Sequence, residues 1–397
     1  MIKSLFTVCV LVLGISSKAQ TWVQTSLTPG GVSCLAVNGN SLYAGTGNGV
    51  EMTTDYGVTW VPRNTGLTTF AVTSIAIENS KMIAGTANGG VFLSNDGGAN
   101  WSAINGSSSL GSIAVLTVLI SGSNMFAGTV TGAGDGIYMT SNNGASWSKV
   151  NGGTGLNGNN IRSLGKSGSN LLAGTNGGGI YMSSDNGLTW TQSTTTGSNN
   201  GYILSFASNA SKTYAGSGGQ VLVSTNNGST FSVANGTINC GFYGLALNGN
   251  DIYAATQTCY GPYLSNNNGT TFNYFFNGLS NYDLTSIVIC GSNLFISSTV
   301  DGVWKFPITI ATSVNETLSE NNIELFPNPI SNQFTVKPSN NNEPVSVSIS
   351  NIQGQVLKTI ELKDSESIID ISSLNSGVYI IKLSGKNFSK TQKISKL

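Results

Sequence analysis

The chain has 397 residues, 51 of them glycine, and only 9% of its residues are charged, against about 25% in an ordinary globular domain. Seventeen Lys plus Arg balance seventeen Asp plus Glu, so neither a basic field for nucleic acid nor an acidic tail is present. Histidine is absent, which removes the commonest general base and the commonest metal ligand together.

Residues 1–19 read as a cleaved signal peptide: Lys3, an apolar run from Leu5 to Ile15, and the small residues Ser17 and Ala19 ahead of a mature start at Gln20. The run is too short to span a bilayer, and Cys9 lies inside it rather than at its end, so neither a transmembrane nor a lipid anchor is expected. Export leaves Cys34, Cys240, Cys259 and Cys290 where disulfides persist. Four thiols allow three pairings. The favoured one is Cys240 with Cys259, which bracket a hairpin, and Cys34 and Cys290 are then free thiols.

From residue 20 to 310 one pattern repeats. TTDYGVTW, SNDGGANW, TSNNGASW, SSDNGLTW, STNNGSTF and SNNNGTTF all fit Ser/Thr-x-Asp/Asn-x-Gly-x-x-Trp/Phe. In chain order the three signature positions are Asp55, Gly57 and Trp60; Asp96, Gly98 and Trp101; Asn142, Gly144 and Trp147; Asp185, Gly187 and Trp190; Asn226, Gly228 and Phe231; Asn267, Gly269 and Phe272. The glycines recur every 41 to 46 residues, the length of a four-stranded propeller blade. Ahead of each box lies an alternating strand such as VTSIAI or IRSLGK, then a second ending in Ala-Gly-Thr, as at Ala84-Gly85-Thr86. The Asp or Asn side chain is expected to accept N–H groups across a tight turn whose glycine takes positive φ, with the aromatic packed between sheets.

These boxes resemble the Asp-box, or bacterial neuraminidase repeat, of sialidases, sortilin-type receptors and photosystem assembly-factor-like propellers. Three boxes carry Asn, so the resemblance implies a turn motif and no shared catalytic carboxylate. After the sixth box three more strands follow (LTSIVI, NLFISST, GVWKF), and Thr21-Trp22-Val23-Gln24 matches the fourth-strand pattern of Thr59-Trp60-Val61-Pro62. Pairing the first and last strands closes the ring and hides its edges. The expected fold is therefore all-β: a seven-bladed Asp-box propeller, with six blades or an open solenoid as the alternatives.

At about Ala311 the composition changes. About half of the chain's charged residues lie beyond residue 310; a linker over 311–322 leads to residues 323–397, where short strands alternate with turns, enough for a small immunoglobulin-like β-sandwich. This segment resembles the type A sorting domain of the type IX secretion system of Bacteroidetes, through Pro327-Asn328-Pro329, Gly354, Leu374, Gly377 with Tyr379, and a Lys-rich tail. The resemblance implies transit through the periplasm, recognition by the type IX machinery, and release or attachment at the outer-membrane surface. An ordinary adhesion module is the competing reading.

Sialidase chemistry in the resembling family relies on an arginine triad, and the chain holds only Arg63 and Arg162. A glycosidase needs two facing carboxylates. Outside the boxes the propeller has Glu51, Glu78, Asp135, Asp251, Asp283 and Asp301, of which Asp135 and Asp301 fall at hairpin positions. Serine and cysteine nucleophiles lack a histidine partner, and no ligand spacing supports a metal or other cofactor. No catalytic residue is therefore assigned. Arg162 on an inner strand, with Tyr202, Tyr260, Tyr282, Asp283 and Asp301 on loops of one face, forms the candidate binding face for an extracellular glycan or protein. The expected function is a secreted or surface-displayed binding or adhesion protein, with a polysaccharide-active glycoside hydrolase as the alternative.

Overall fold

The computed structural model describes residues 21–27, 30–106, 110, 114–130, 136–150, 156, 160–196, 201–234, 240–257, 259, 261–275, 278–279, 283–308, 324–326, 331–337, 345–351, 356–362, 367–384 and 389–396. The signal segment, Asp135, Tyr260, Tyr282, Pro327-Asn328-Pro329 and Gly354 lie outside them. Every regular element named among the described residues is a strand. The chain divides into two compact units, Met1–Ala311 and Thr312–Leu397.

Among the described residues the first unit holds seven sheets, each built on strands that follow one another in the chain and pair antiparallel. Their inner strands are Val32–Asn38, Val72–Glu78, Ala114–Ser121, Ile161–Ser167, Ile203–Ser208, Gly241–Asn248 and Leu284–Cys290. Each inner strand contacts the next and the seventh contacts the first, so the ring is closed. Closure uses both ends of the unit: Val23 pairs with Lys305 and Gln24 with Trp304, while Trp22 is buried against Phe275 and Phe306. One sheet departs from the expected four strands. Thr194–Thr196 leaves the outer strand of the fourth blade and pairs in parallel with Thr230–Val233 of the fifth.

The second strand of each blade is buried on both faces between its neighbours, which is why these segments are apolar throughout rather than alternating. The Ala-Gly-Thr ending follows from the same squeeze. A Cβ on Gly45 would sit 2.8 Å from Val72 Cγ1, and one on Gly128 would sit 2.6 Å from Ile161 Cγ2, each the first apolar residue of the next blade's inner strand. The hydroxyl that follows closes the next hairpin, as where Thr46 Oγ1 donates to Gly49 O at 3.0 Å and Thr86 Oγ1 to Gly90 O at 3.0 Å.

Each box caps the hairpin between third and fourth strands with one hydrogen-bond set. Oδ1 of Asp55, Asp96, Asn142, Asp185, Asn226 and Asn267 accepts the N–H four residues on at 2.9 to 3.0 Å. The glycines adopt φ of 82° to 87°, and the residue before each is also left-handed, between 54° and 69°. The leading Ser or Thr is buried: its hydroxyl donates to the Asp or Asn and accepts the glycine N–H, at 2.9 Å for Ser224 and Gly228. The Asp and Asn boxes differ in the direction of the bond between their two side chains. Thr59 donates its hydroxyl to Asp55 Oδ2, whereas Asn142 Nδ2 donates to Ser146 Oγ, so the amide fits by reversing the donor.

These bonds hold the carboxyls of Asp55 and Asp96 down at about 2, led by the Thr59 hydroxyl and the Asn100 amide respectively. Burial opposes the shift at Asp185, yet the bonds from Thr189 and Ser183 leave it below the ordinary range. The box aromatics reach the adjacent blade. Trp101 Nε1 donates to Arg63 O at 2.8 Å and Trp147 Nε1 bonds Ile104 O. Trp190 packs against Phe126, Phe231 lies in a cluster with Leu172, and half-buried Phe272 stands 5.9 Å from Phe242. Trp60 is only half-buried, beside the cluster that joins the first and seventh blades.

The second unit has a three-stranded sheet containing Glu324–Phe326, Gln333–Lys337 and Ser367–Asp370, and a four-stranded sheet containing Val345–Asn351, Val356–Leu362, Gly377–Ser384 and Ser389–Lys396. One core joins them: Phe334, Val336 and Ile369 from the first sheet and Val347, Ile349, Ile381, Leu383 and Ile394 from the second. That is a β-sandwich. Leu374 packs on its margin and donates its N–H to Ile371 O, Gly377 begins a strand, and Tyr379 Oη donates to Asn375 O at 2.7 Å.

Candidate functional site: the channel mouth

Every inner strand carries the same irregularity near its start. Pairing with the second strand skips one residue, at Ser33, Thr73, Leu116, Arg162, Leu204, Tyr243 and Thr285. A bulge leaves that residue out of the ladder and re-aims its side chain. All seven line one cavity of about 530 Å³, walled by inner strands of all seven blades.

The residue after each bulge is small, and most supply a hydroxyl that ties neighbouring blades together. Leu35 N–H donates to Ser286 Oγ, Val118 N–H to Ser74 Oγ and Leu164 N–H to Thr117 Oγ1, at 3.1 to 3.3 Å. Ser163 and Ser205 donate to Ile203 O and Phe242 O of the following strands. Gly244 stands where a side chain would meet Ile287 N at 2.9 Å. The thiol of Cys34 occupies the first blade's position, where burial pushes it up to about 12 and away from thiolate chemistry. Cys290 is buried, and its thiol is also raised by burial. Cys240 and Cys259 form a disulfide.

Arg162 is the single charged residue among those lining the cavity. It is exposed, its ring neighbours are Leu116 and Leu204, and it makes no hydrogen bond or ion pair with any described residue. Tyr202 is linked by backbone to the segment that precedes Arg162. Asn176 N–H donates to Asn160 O at 3.0 Å, two residues before Arg162, and Asn176 bridges to Tyr202. The Tyr202 carbonyl also accepts the N–H of Gly218 at 3.0 Å, and its side chain is 49% exposed.

The remaining candidates separate. Asp283 is exposed just before the last inner strand, its carbonyl accepting Thr299 N–H. Asp301 turns a hairpin, with its N–H on Ser298 Oγ and its carbonyl accepting Gln24 Nε2 at 2.7 Å. Tyr260 and Tyr282 lie outside the described residues. The other carboxylates do not converge on the cavity. Glu78, at the far end of its strand, accepts Lys166 Nζ at 2.9 Å and Gly122 N–H at 3.0 Å, joining three consecutive blades. The bond from Lys166 holds the Glu78 carboxyl below its usual range, while burial raises Glu51 on a third strand. Ser33 and Tyr243, which no sequence pattern marks, line the same cavity as Arg162 through the bulges of the first and sixth blades.

Residues 324–396 match the secretion system C-terminal sorting domain, and residues 99–242 match the DUF6242 beta propeller domain. No curated protein matches the chain. Among solved structures it is similar to PorZ, described as an essential bacterial surface component of the type-IX secretion system of Porphyromonas gingivalis, with 15% identity and a TM-score of 0.56 over 91% of this chain and 59% of that one. YCF48 from Cyanidioschyzon merolae is 18% identical, TM-score 0.55, over 72% of this chain and 98% of that one. The GH74 enzyme of Niastella koreensis is 16% identical, TM-score 0.52, over 75% and 44%. This chain thus spans about three-fifths of the PorZ chain and less than half of the GH74 chain. At these identities the likeness is one of fold. Among the described residues no helix is long and apolar enough to cross a membrane. The chain is a β-propeller followed by a type IX secretion system C-terminal sorting domain, which marks it for export to the cell surface or beyond.

Proposed function

We propose that the chain, once its residues 1–19 are removed, acts outside the cell as a non-enzymatic binding or adhesion protein. Its ligand would be held at the channel mouth of the propeller. The observation that carries this reading is the cavity of about 530 Å³ whose described lining contains Arg162 and no carboxylate. Glycoside hydrolysis requires an acid and a base or nucleophile, both carboxylates as a rule, at the scissile bond. The likeness to a GH74 enzyme keeps hydrolysis as the alternative, and a YCF48 structure bound to D1 peptide is a precedent for binding by this fold.

The sorting half of the proposal is tested by deleting residues 324–396 and fractionating a host that has type IX secretion. The intact chain is expected in the medium or on the surface, starting at Gln20, and the truncated chain in the periplasm. Surface display of the truncated chain would overturn it.

A further inference from the structure

We propose that the channel mouth binds an acidic saccharide, with the carboxylate of a uronate unit on Arg162. This deepens the binding reading above and rests on it.

Charge comes first. Arg162 is the lone cation of a lining that holds no anion, and no described residue pairs with it. A guanidinium presents two parallel N–H donors that match a carboxylate, and the pairing strengthens where water is excluded. Leu116 and Leu204, the bulge residues on either side, supply that apolar flank, and Leu164 and Phe206 continue it along the wall. A single positive charge without a second cation suits a monoanion better than a phosphate ester.

The rest of the lining points to a sugar. Thr73 and Thr285 spend their hydroxyls on the neighbouring strands, Thr73 on Gly85 O and Val115 O and Thr285 on Val32 O. Ser33 and Tyr243 have no hydrogen-bond partner among the described residues, so two hydroxyls remain for a polyhydroxyl ligand. Tyr202 is exposed two residues before Leu204 on the blade next to that of Arg162, its backbone fixed by the bridge to Asn176 and the bond from Gly218. An aromatic body with a wet polar tip suits the mixed apolar and hydroxyl faces of a pyranose. A cavity of about 530 Å³ falls within the usual range for small-ligand sites.

The test is calorimetric titration of the purified full chain with a galacturonate trisaccharide, its methyl ester, the neutral galactose trisaccharide and a tripeptide with a free C-terminus. The expected result is binding of the galacturonate alone. Arg162→Gln should weaken it by about tenfold or more, Arg162→Lys should restore only part of that, and Tyr202→Ala should weaken it independently, with melting temperatures unchanged. Equal binding of acid and ester, or unaltered affinity in Arg162→Gln, would overturn the acidic inference while leaving the binding reading intact. Binding of the peptide alone, or of no probe, would overturn the saccharide. Accumulation of reducing ends during the titration would instead remove the binding reading itself.

Discussion

The leading hydroxyl of the box gives the sharpest quantitative expectation. Ser224 is 2% exposed, bonds to Asn226 Oδ1 at 3.0 Å and accepts Gly228 N–H at 2.9 Å in a buried turn. Ser224→Ala removes both bonds, together with a longer one from Asn226 N–H at 3.4 Å, and leaves the glycine amide without that acceptor. A buried donor left unsatisfied costs about 1–3 kcal/mol and a neutral hydrogen bond about 1 kcal/mol, so the turn should lose about 2–4 kcal/mol. For a domain of this size that corresponds to a fall in melting temperature of roughly 3–7 °C. Thr53 and Thr140 occupy the same position in other boxes, so Ser224→Thr should retain most of the stability. The assay is thermal unfolding followed by far-UV circular dichroism and tryptophan fluorescence. A change below about 1 °C for Ser224→Ala, or equal losses for Ala and Thr, would refute the role given to this hydroxyl.

Other expectations follow from the same geometry. Asp55 and Asp96 titrate near 2 in the folded protein, below their unfolded values; their contribution is present above about pH 4 and is lost as pH falls toward 2. Asp55→Asn, which reproduces the Asn142–Ser146 arrangement with Thr59 as acceptor, should leave the melting temperature at pH 7 nearly unchanged and flatten its decline between pH 4 and pH 2; a steeper decline would count against the bond set described. The Cys240–Cys259 bridge closes a loop with a sequence separation of 19, worth about 3 kcal/mol in chain entropy. A reductant should therefore lower the melting temperature of the wild type and leave a Cys240→Ser/Cys259→Ser variant unmoved, and an equal response of both would contradict it. Trp101→Phe should destabilise by about 1–2 kcal/mol in urea unfolding, because Arg63 O loses its indole donor; no change in midpoint would show that bond to be without weight.

The propeller was readable because its determinants are local and repeated. Gly57 and its five counterparts announce the turn that only a left-handed residue completes, and box spacing counts the blades that carry one. Thr21 to Gln24 could be matched to Thr59 to Pro62 since outer strands share their composition. The box hydroxyl was visible as a repeated Ser or Thr, yet the hydrogen bonds it makes with Asn226 and Gly228 depend on three-dimensional closure of the turn. The bulge ring was hidden for another reason. A bulge is a property of register between two strands, and Ser33-Cys34, Leu116-Thr117 and Tyr243-Gly244 share no residue type that would signal it. Arg162 was singled out by its rarity, whereas Ser33 and Tyr243 were not, although all three project into the same cavity. The extra strand Thr194–Thr196 has neither alternation nor an apolar face, and its partner lies in the next blade, so no local pattern marks it.

The claim that this propeller binds without turning its ligand over is tested most directly by incubating the purified protein with a panel of neutral and acidic polysaccharides, measuring retention and reducing ends in the same tubes. The expected result is retention on an acidic polysaccharide, diminished in Arg162→Gln, with reducing ends constant over time. Reducing ends that rise in proportion to time and protein concentration would contradict it.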